Sequence, residues 1–162
     1  MGKGDLSAQT EKALKAAERL LRFRPRSRRE LLMRLKQRFD AATCHDVIHA
    51  LQEKRLLDDA AFSRFWIQNR MHFRPKGKRA LFQELLEKGV APEVIQETLK
   101  ELFPEEERAV AERLLASRRK RVDPKDPATH QKLYRFLRSR GFSHDLTSEL
   151  LERDVQDNDD GE

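Results

Sequence analysis

Two histidines one helical turn apart, His45 and His49, have the best spacing for metal chemistry in this chain. In "HDVIH" (45–49) an α-helix sets both imidazoles on one side, and Glu53 follows one turn later. The pattern is close to the H-E-x-x-H of zinc proteases, whose glutamate acts as base. Three features weigh against it. Asp46 is shorter than that glutamate. Both imidazoles project away from the apolar row Val47, Ile48 and Leu51, toward solvent. No second ligand cluster occurs. Cys44 lacks a positioned base, since His45 is its neighbour only in sequence. No glycine-rich phosphate loop and no evident acid pair is found. The sequence therefore predicts no catalytic residue, no metal and no cofactor.

The chemistry it does offer is anion binding. "RLLRFRPRSRRELLMRLKQRF" (19–39) has Glu30 as its only acid. On a helix opening after Ser27, Arg29 and Lys36 fall on one flank of the apolar face, and Arg34 and Arg38 on the other. Arg22, Arg24 and Arg26 crowd the preceding corner, and Arg28 follows Ser27. Arginine is suited to bidentate contact with phosphate or carboxylate. A solvated face usually interleaves its signs, and this one does not. Arg74, Lys76, Lys78 and Arg79 form a second group at the corresponding corner further on. Arg118, Arg119, Lys120 and Arg121 form a third, where a helix C-terminus would also favour cations through its dipole. These residues are the expected contact surface for a polyanion.

The bulk numbers agree with that expectation. The 162 residues carry net charge +6 with a sequence pI near 9.7, and 38% are charged. Residues 1–57 hold 14 basic and 7 acidic side chains, residues 58–103 hold 8 and 7, and residues 104–162 hold 12 and 14. The excess sits in the first third, as a local binding face requires. The single cysteine suits a reducing compartment. No apolar run approaches the ~20 residues of a membrane span. "MGKGDLSAQTEK" lacks the apolar core of a signal peptide. A soluble, cytoplasmic protein with no membrane partner is expected.

The elements that must position these cations are helices, because the apolar spacing is helical nearly throughout. Leu14, Ala17, Leu20 and Leu21 mark a first helix, which Pro25 stops. Ser27 and Glu30 form a capping box for a second helix, with Leu31, Leu32, Leu35 and Phe39 inward. Thr43 is placed to cap a third, with Val47, Ile48 and Leu51 inside. The order then recurs. Asp58 or Asp59 caps a helix carrying Phe62, Phe65, Trp66 and Phe73. A helix with Leu81, Phe82 and Leu85 ends at Gly89, and Pro92 starts the next. Pro104 and three glutamates open another, Asp126 and Pro127 cap the one after the "DPKDP" loop, and Ser143 caps the last. The period is about fifty residues, the mark of stacked helical units. The expected fold is all-α, three tandem three-helix repeats at 11–57, 58–103 and 104–152 forming an elongated, curved array. Residues 1–10 and the acidic tail 153–162 are expected to be flexible. An odd number of repeats with polar ends points to a monomer.

Three stretches resemble the RecX family of bacterial RecA regulators. "RPRSRRELLMRL" (24–35) is similar to that family's first-repeat motif. "LLDDAAFSRFWIQNR" (56–70) is similar to the stretch joining its first two repeats. "RPKGKRALFQELLEKGV" (74–90) is similar to its middle-repeat motif, with Gly77 and Gly89 in the family's places. The likeness covers residues 12–152. One departure stands out: the basic-Gly-apolar junction seen at 88–90 and 140–142 is replaced in the first repeat by "RFDAATCHD". The resemblance implies a non-catalytic regulator. Such proteins lie in the groove of the RecA nucleoprotein filament and restrain its growth, ATP turnover and strand exchange. It also implies weak, salt-dependent binding to single-stranded DNA, with double-stranded DNA left open.

Two alternatives remain. The aromatic row Phe62, Phe65, Trp66 and Phe73 would serve base stacking if exposed, but its helical spacing is what burial demands, so core is expected. A free-standing DNA- or RNA-binding helical repeat protein is the rival to a RecA regulator.

Overall fold

The computed structural model describes residues 3–103, 107–124 and 126–159, with side chains described between residues 8 and 152 of those ranges. Nine α-helices and no strand occur among the described residues. They are α1 Lys3–Phe23, α2 Arg28–Leu35, α3 Ala41–Glu53, α4 Asp59–Phe73, α5 Lys78–Glu87, α6 Pro92–Leu102, α7 Glu107–Arg119, α8 Thr129–Ser139 and α9 His144–Asp159. They follow in three successive groups of three, as the periodicity predicts.

Most helix boundaries have a local cause. Ser27 caps α2, its Oγ accepting from the Glu30 N–H at 3.1 Å. α3 is capped by Asp40 and not, as the sequence suggested, by Thr43. Asp40 Oδ1 accepts from the Thr43 N–H at 3.0 Å, and the Thr43 hydroxyl donates to Oδ2. The longer first-repeat junction leaves room for the carboxylate there, and those bonds hold it below the ordinary carboxylate range. At α4, Asp58 Oδ1 accepts from the Ala60 N–H, while Asp59 Oδ1 turns to the Arg28 N–H at 2.7 Å. Ser143 Oγ accepts from the Leu146 N–H at the start of α9. Before α8, Asp126 Oδ1 accepts from the Ala128 N–H, and Ala128 itself makes no side-chain cap bond. Pro104 and the first two of the three glutamates lie outside the described residues. α1 starts at Lys3 and α9 runs to Asp159, and residues 1–2 and 160–162 of the two ends lie outside the described residues. Apolar periodicity marks only the packed part of a helix, so polar extensions leave no such signal.

Two compact units account for the packing: Met1–Trp66 with Leu85–Thr98, and Ile67–Glu84 with Leu99–Glu162. In the first, α1, α2 and α3 pack on one another. Leu31, Leu35, Val47, Ile48 and Leu51 are fully buried there with Ala13, Ala17 and Cys44, and Leu32 and Phe39 lie partly buried against them. Each large aliphatic side chain buried this way contributes about 1.5–3 kcal/mol. In the second, α7, α8 and α9 pack together around Val110, Leu115, Leu137, Phe142 and Leu151.

Each unit ties a helix corner to a glycine junction from the next repeat. In the first unit, the buried Ser27 hydroxyl donates to the Lys88 carbonyl at 2.7 Å. Gly89, at φ +78°, turns the chain there, and a Cβ on it would collide with the Arg29 side chain. In the second unit, the Gly77 N–H donates to the Arg140 carbonyl at 2.8 Å, and a Cβ on Gly141, φ +85°, would collide with Ala80. The first repeat's own junction turns without a left-handed residue. Its chain leaves α2 through Lys36 in the αR region, with the Phe39 N–H bonded to the Leu35 carbonyl. Among the described residues, the non-glycine residue with positive φ is Arg55, at 55°, just after α3.

Candidate polyanion interface

α2 and the corner before it place the opening arginines around one open cavity of about 360 Å³ in the first unit. Arg24, Arg26, Arg29 and Arg34 line it, with Met33 and Gln37 between them and Glu30, Glu87 and Lys88 completing the wall. Five cationic side chains therefore face two carboxylates. Glu30 is the hinge of the charge network. Its carboxylate accepts from Arg24 Nη1 at 3.0 Å and from Lys88 Nζ at 2.9 Å. Burial alone would raise the Glu30 carboxyl, but the hydrogen bonds from Arg24 and Lys88 outweigh it and hold the group below its ordinary range. Lys88 also stands 4.9 Å from the centroid of the Trp66 ring, a cation–π arrangement.

Arg26 is in the opposite situation. Its Nε donates to the Leu20 carbonyl at 3.4 Å. Burial lowers its guanidinium pKa first and the charge of Arg24 second; Glu30 opposes this and Arg34 adds to it. A guanidinium crowded by like charge is relieved by a neighbouring anion. Met33, 60% exposed, adds an apolar patch on the wall.

The other expected contacts are distributed differently. Arg28 lies away from the cavity; its N–H is taken by Asp59, and it lines a separate hollow with Gln52, Arg55 and Asp58. Burial raises the Asp59 carboxyl, against that N–H bond. Lys36 is exposed and outside the cavity. In the second unit, Lys76 and Arg70 both pair with Glu84, Arg70 Nε at 2.8 Å. The Lys78 N–H donates to Glu107, and Arg74 and Arg79 are exposed. The Arg118 and Arg140 guanidinium carbons stand 5.2 and 5.3 Å from the Phe136 ring centroid. Arg119 is partly buried, which lowers its guanidinium, while Lys120 and Arg121 are exposed.

Sequence reasoning missed Lys88 and Arg140, the basic residues of the two glycine junctions. It also placed the aromatic row wrongly in part. Phe62 is buried and Phe65 and Trp66 are half-buried, but Phe73 is 72% exposed. Phe73 is the last residue of α4, where a position on the apolar stripe no longer has a helix to pack on. His49 Nδ1 lies 3.6 Å from Glu53, and no group of three or more metal-ligating residues occurs among the described residues. No described helix is long and apolar enough to cross a membrane.

Comparison with known proteins identifies the family. Family models for the first, second and third three-helix domains of RecX match residues 13–51, 58–99 and 105–151. The chain is 37% identical over 139 residues to a "Regulatory protein RecX" of Mycobacterium sp. (strain JLS), covering 82% of this chain and 76% of the relative. It is 35% identical over 153 residues to one from Mycolicibacterium smegmatis, covering 91% and 81%. In fold it is similar to the crystal structure of RecX from Lactobacillus salivarius, with TM-score 0.77, 19% identity, and 91% and 97% coverage. A second structure of a regulatory protein RecX gives TM-score 0.78 and 23% identity, covering 92% of this chain and 74% of that one. With all three of its helical domains matched in order, the chain belongs to the RecX family of regulatory proteins.

Proposed function

We propose that this chain is a non-catalytic regulator of RecA that binds the RecA nucleoprotein filament and restrains its growth, ATP turnover and strand exchange. The observation that supports this most is the cavity of the first unit. It gathers Arg24, Arg26, Arg29 and Arg34 with Lys88 in a chain of the RecX family. A nucleoprotein filament offers phosphates and acidic side chains at high density, and guanidinium groups recognise both. Arg28, Lys36, Arg74, Lys76, Lys78, Arg79 and the 118–121 cluster act as outer contacts. The three repeats at 11–57, 58–103 and 104–152 are the working parts, and the protein acts in the cytoplasm as a monomer without a cofactor.

The test is DNA-dependent ATP hydrolysis by RecA, measured against the concentration at which this chain coats the same DNA without RecA. Suppression well below the coating concentration is the expected result. Suppression only where the DNA is saturated would mean simple competition for DNA, the behaviour of a free-standing nucleic-acid-binding protein.

A further inference from the structure

The first two repeats carry one pattern twice, "FRPRSRR" at 23–29 and "FRPKGKR" at 73–79. Downstream, the two copies agree at Leu31 and Leu81 and at Leu35 and Leu85, all fully buried. They disagree at surface positions, such as Met33 against Gln83. Burial accounts for the leucines and helix termination for the prolines. Neither accounts for the phenylalanines. Phe23 is 80% exposed and Phe73 is 72% exposed, each as the last residue of its helix. A shared ion pair does not account for the following arginine either. Arg24 binds Glu30, and the second copy has Ala80 in Glu30's place. What the two copies share at the surface is an exposed ring followed by cations.

We propose that each corner is a subsite for single-stranded nucleic acid, with an unpaired base stacked on Phe23 or Phe73 and the adjoining phosphates on the flanking cations. A protein-binding anchor sits in a dry apolar surround. Here the sequence neighbours are Arg22 and Arg24 for one ring, and His72 and Arg74 for the other. His72 meets the Phe73 ring at 4.6 Å and 90°, an edge contact that steadies the ring. A ring next to arginine in the chain fits a base with its phosphates, and stacking tolerates any base. Each corner lies in its own compact unit, so each is a complete subsite. The inference goes beyond RecA regulation and does not depend on it.

The experiment uses the full chain, without RecA. Fluorescence anisotropy at low salt measures binding of labelled oligothymidine and of an abasic strand with the same number of phosphates. The variants are Phe23→Ala, Phe73→Ala, the double variant, and Phe23→Tyr with Phe73→Tyr as the conservative pair. The double variant is expected to weaken oligothymidine binding about tenfold, the usual worth of one stacked base, whereas each single variant keeps the other subsite and loses only about twofold. The salt slope should not change, because no phosphate contact is lost. The abasic strand should bind wild type and variants alike, and the tyrosine pair should restore affinity. The inference is overturned if the double variant binds oligothymidine within about twofold of wild type, or if it loses the same factor on the abasic strand. A double variant that keeps oligothymidine binding yet no longer suppresses RecA ATP hydrolysis would assign the rings to a protein contact. That result sinks the stacking proposal and leaves the RecA reading standing.

Discussion

Ser27→Ala removes one oxygen atom and two hydrogen bonds. The serine is fully buried and its hydroxyl makes two bonds: it accepts from the Glu30 N–H at 3.1 Å and donates to the Lys88 carbonyl at 2.7 Å. Losing the cap costs about 1 kcal/mol for serine to alanine. Leaving a part-buried carbonyl without its donor costs about 1–2 kcal/mol more. The expected loss is therefore roughly 2–3 kcal/mol. Ser27→Gly separates the contributions. Glycine at an N-cap costs only a few tenths of a kcal/mol, so this variant should lose about 1–2 kcal/mol, mostly the tie to Lys88. Urea denaturation followed by Trp66 fluorescence reads both. Trp66 is the sole tryptophan, and its ring lies 4.9 Å from Lys88 Nζ in the same unit. The midpoint should fall with the slope unchanged. A Ser27→Ala protein within about 0.5 kcal/mol of wild type would refute the reasoning, because neither bond would then be contributing.

Three further outcomes are expected. The Glu30 carboxyl is lower in the folded state than in the unfolded chain, so its contribution is present above the unfolded value and is lost as pH falls through the folded one. Urea midpoints should therefore drop across the acid range, and Glu30→Gln should flatten the profile; Asp59, raised by burial, works with the opposite sign, which Asp59→Asn would remove. Arg55→Gly should raise stability by about 0.5–1 kcal/mol in the same assay, because a non-glycine residue at φ 55° carries strain that glycine lacks. Arg29→Glu with Arg34→Glu, reversing two cavity walls, should weaken RecA filament binding at least tenfold and reduce its salt slope, whereas Lys36→Glu, outside the cavity, should change it less.

Local rules made much of the fold readable. Leu31 and Leu35, and Val47 with Ile48 and Leu51, lie at the spacing of a packed helix face, and all are buried. Ser27 and Ser143 announce helix starts by their type and position. The failures came where two local rules compete or where the partner is remote. Asp40 and Thr43 are both good N-caps, and composition alone does not rank them. Phe73 lies on the aromatic stripe, but a stripe does not say where the helix runs out of neighbours. Lys88 was missed as a site residue because its partner Glu30 is 58 positions away. The density of arginines over residues 24–34 was foreseeable, although helix geometry set Arg29 and Arg34 on opposite flanks of the apolar face and both line the cavity. Which of them surround a cavity was not foreseeable, because Glu87 and Lys88 close it from another repeat.

That closure explains why the compact unit is not the sequence repeat. A three-helix repeat of this size has little core, so its corner must be satisfied from elsewhere. The Ser27 hydroxyl and the Gly77 amide solve the problem alike, each donating to the carbonyl that precedes a left-handed glycine. One uses a side chain and the other the backbone, so the bond is kept while the residue changes. The first unit accordingly takes Leu85–Thr98 from the middle repeat, and the second takes Ile67–Glu84. The same carbonyls belong to Lys88 and Arg140, whose cationic ends stand over Trp66 and Phe136. A junction residue thus accepts the structural bond with its backbone and presents charge with its side chain. Lys88→Met should separate the two roles. It keeps the carbonyl and the length of the stem, so Ser27 retains its partner, while Glu30 loses one of its two cations.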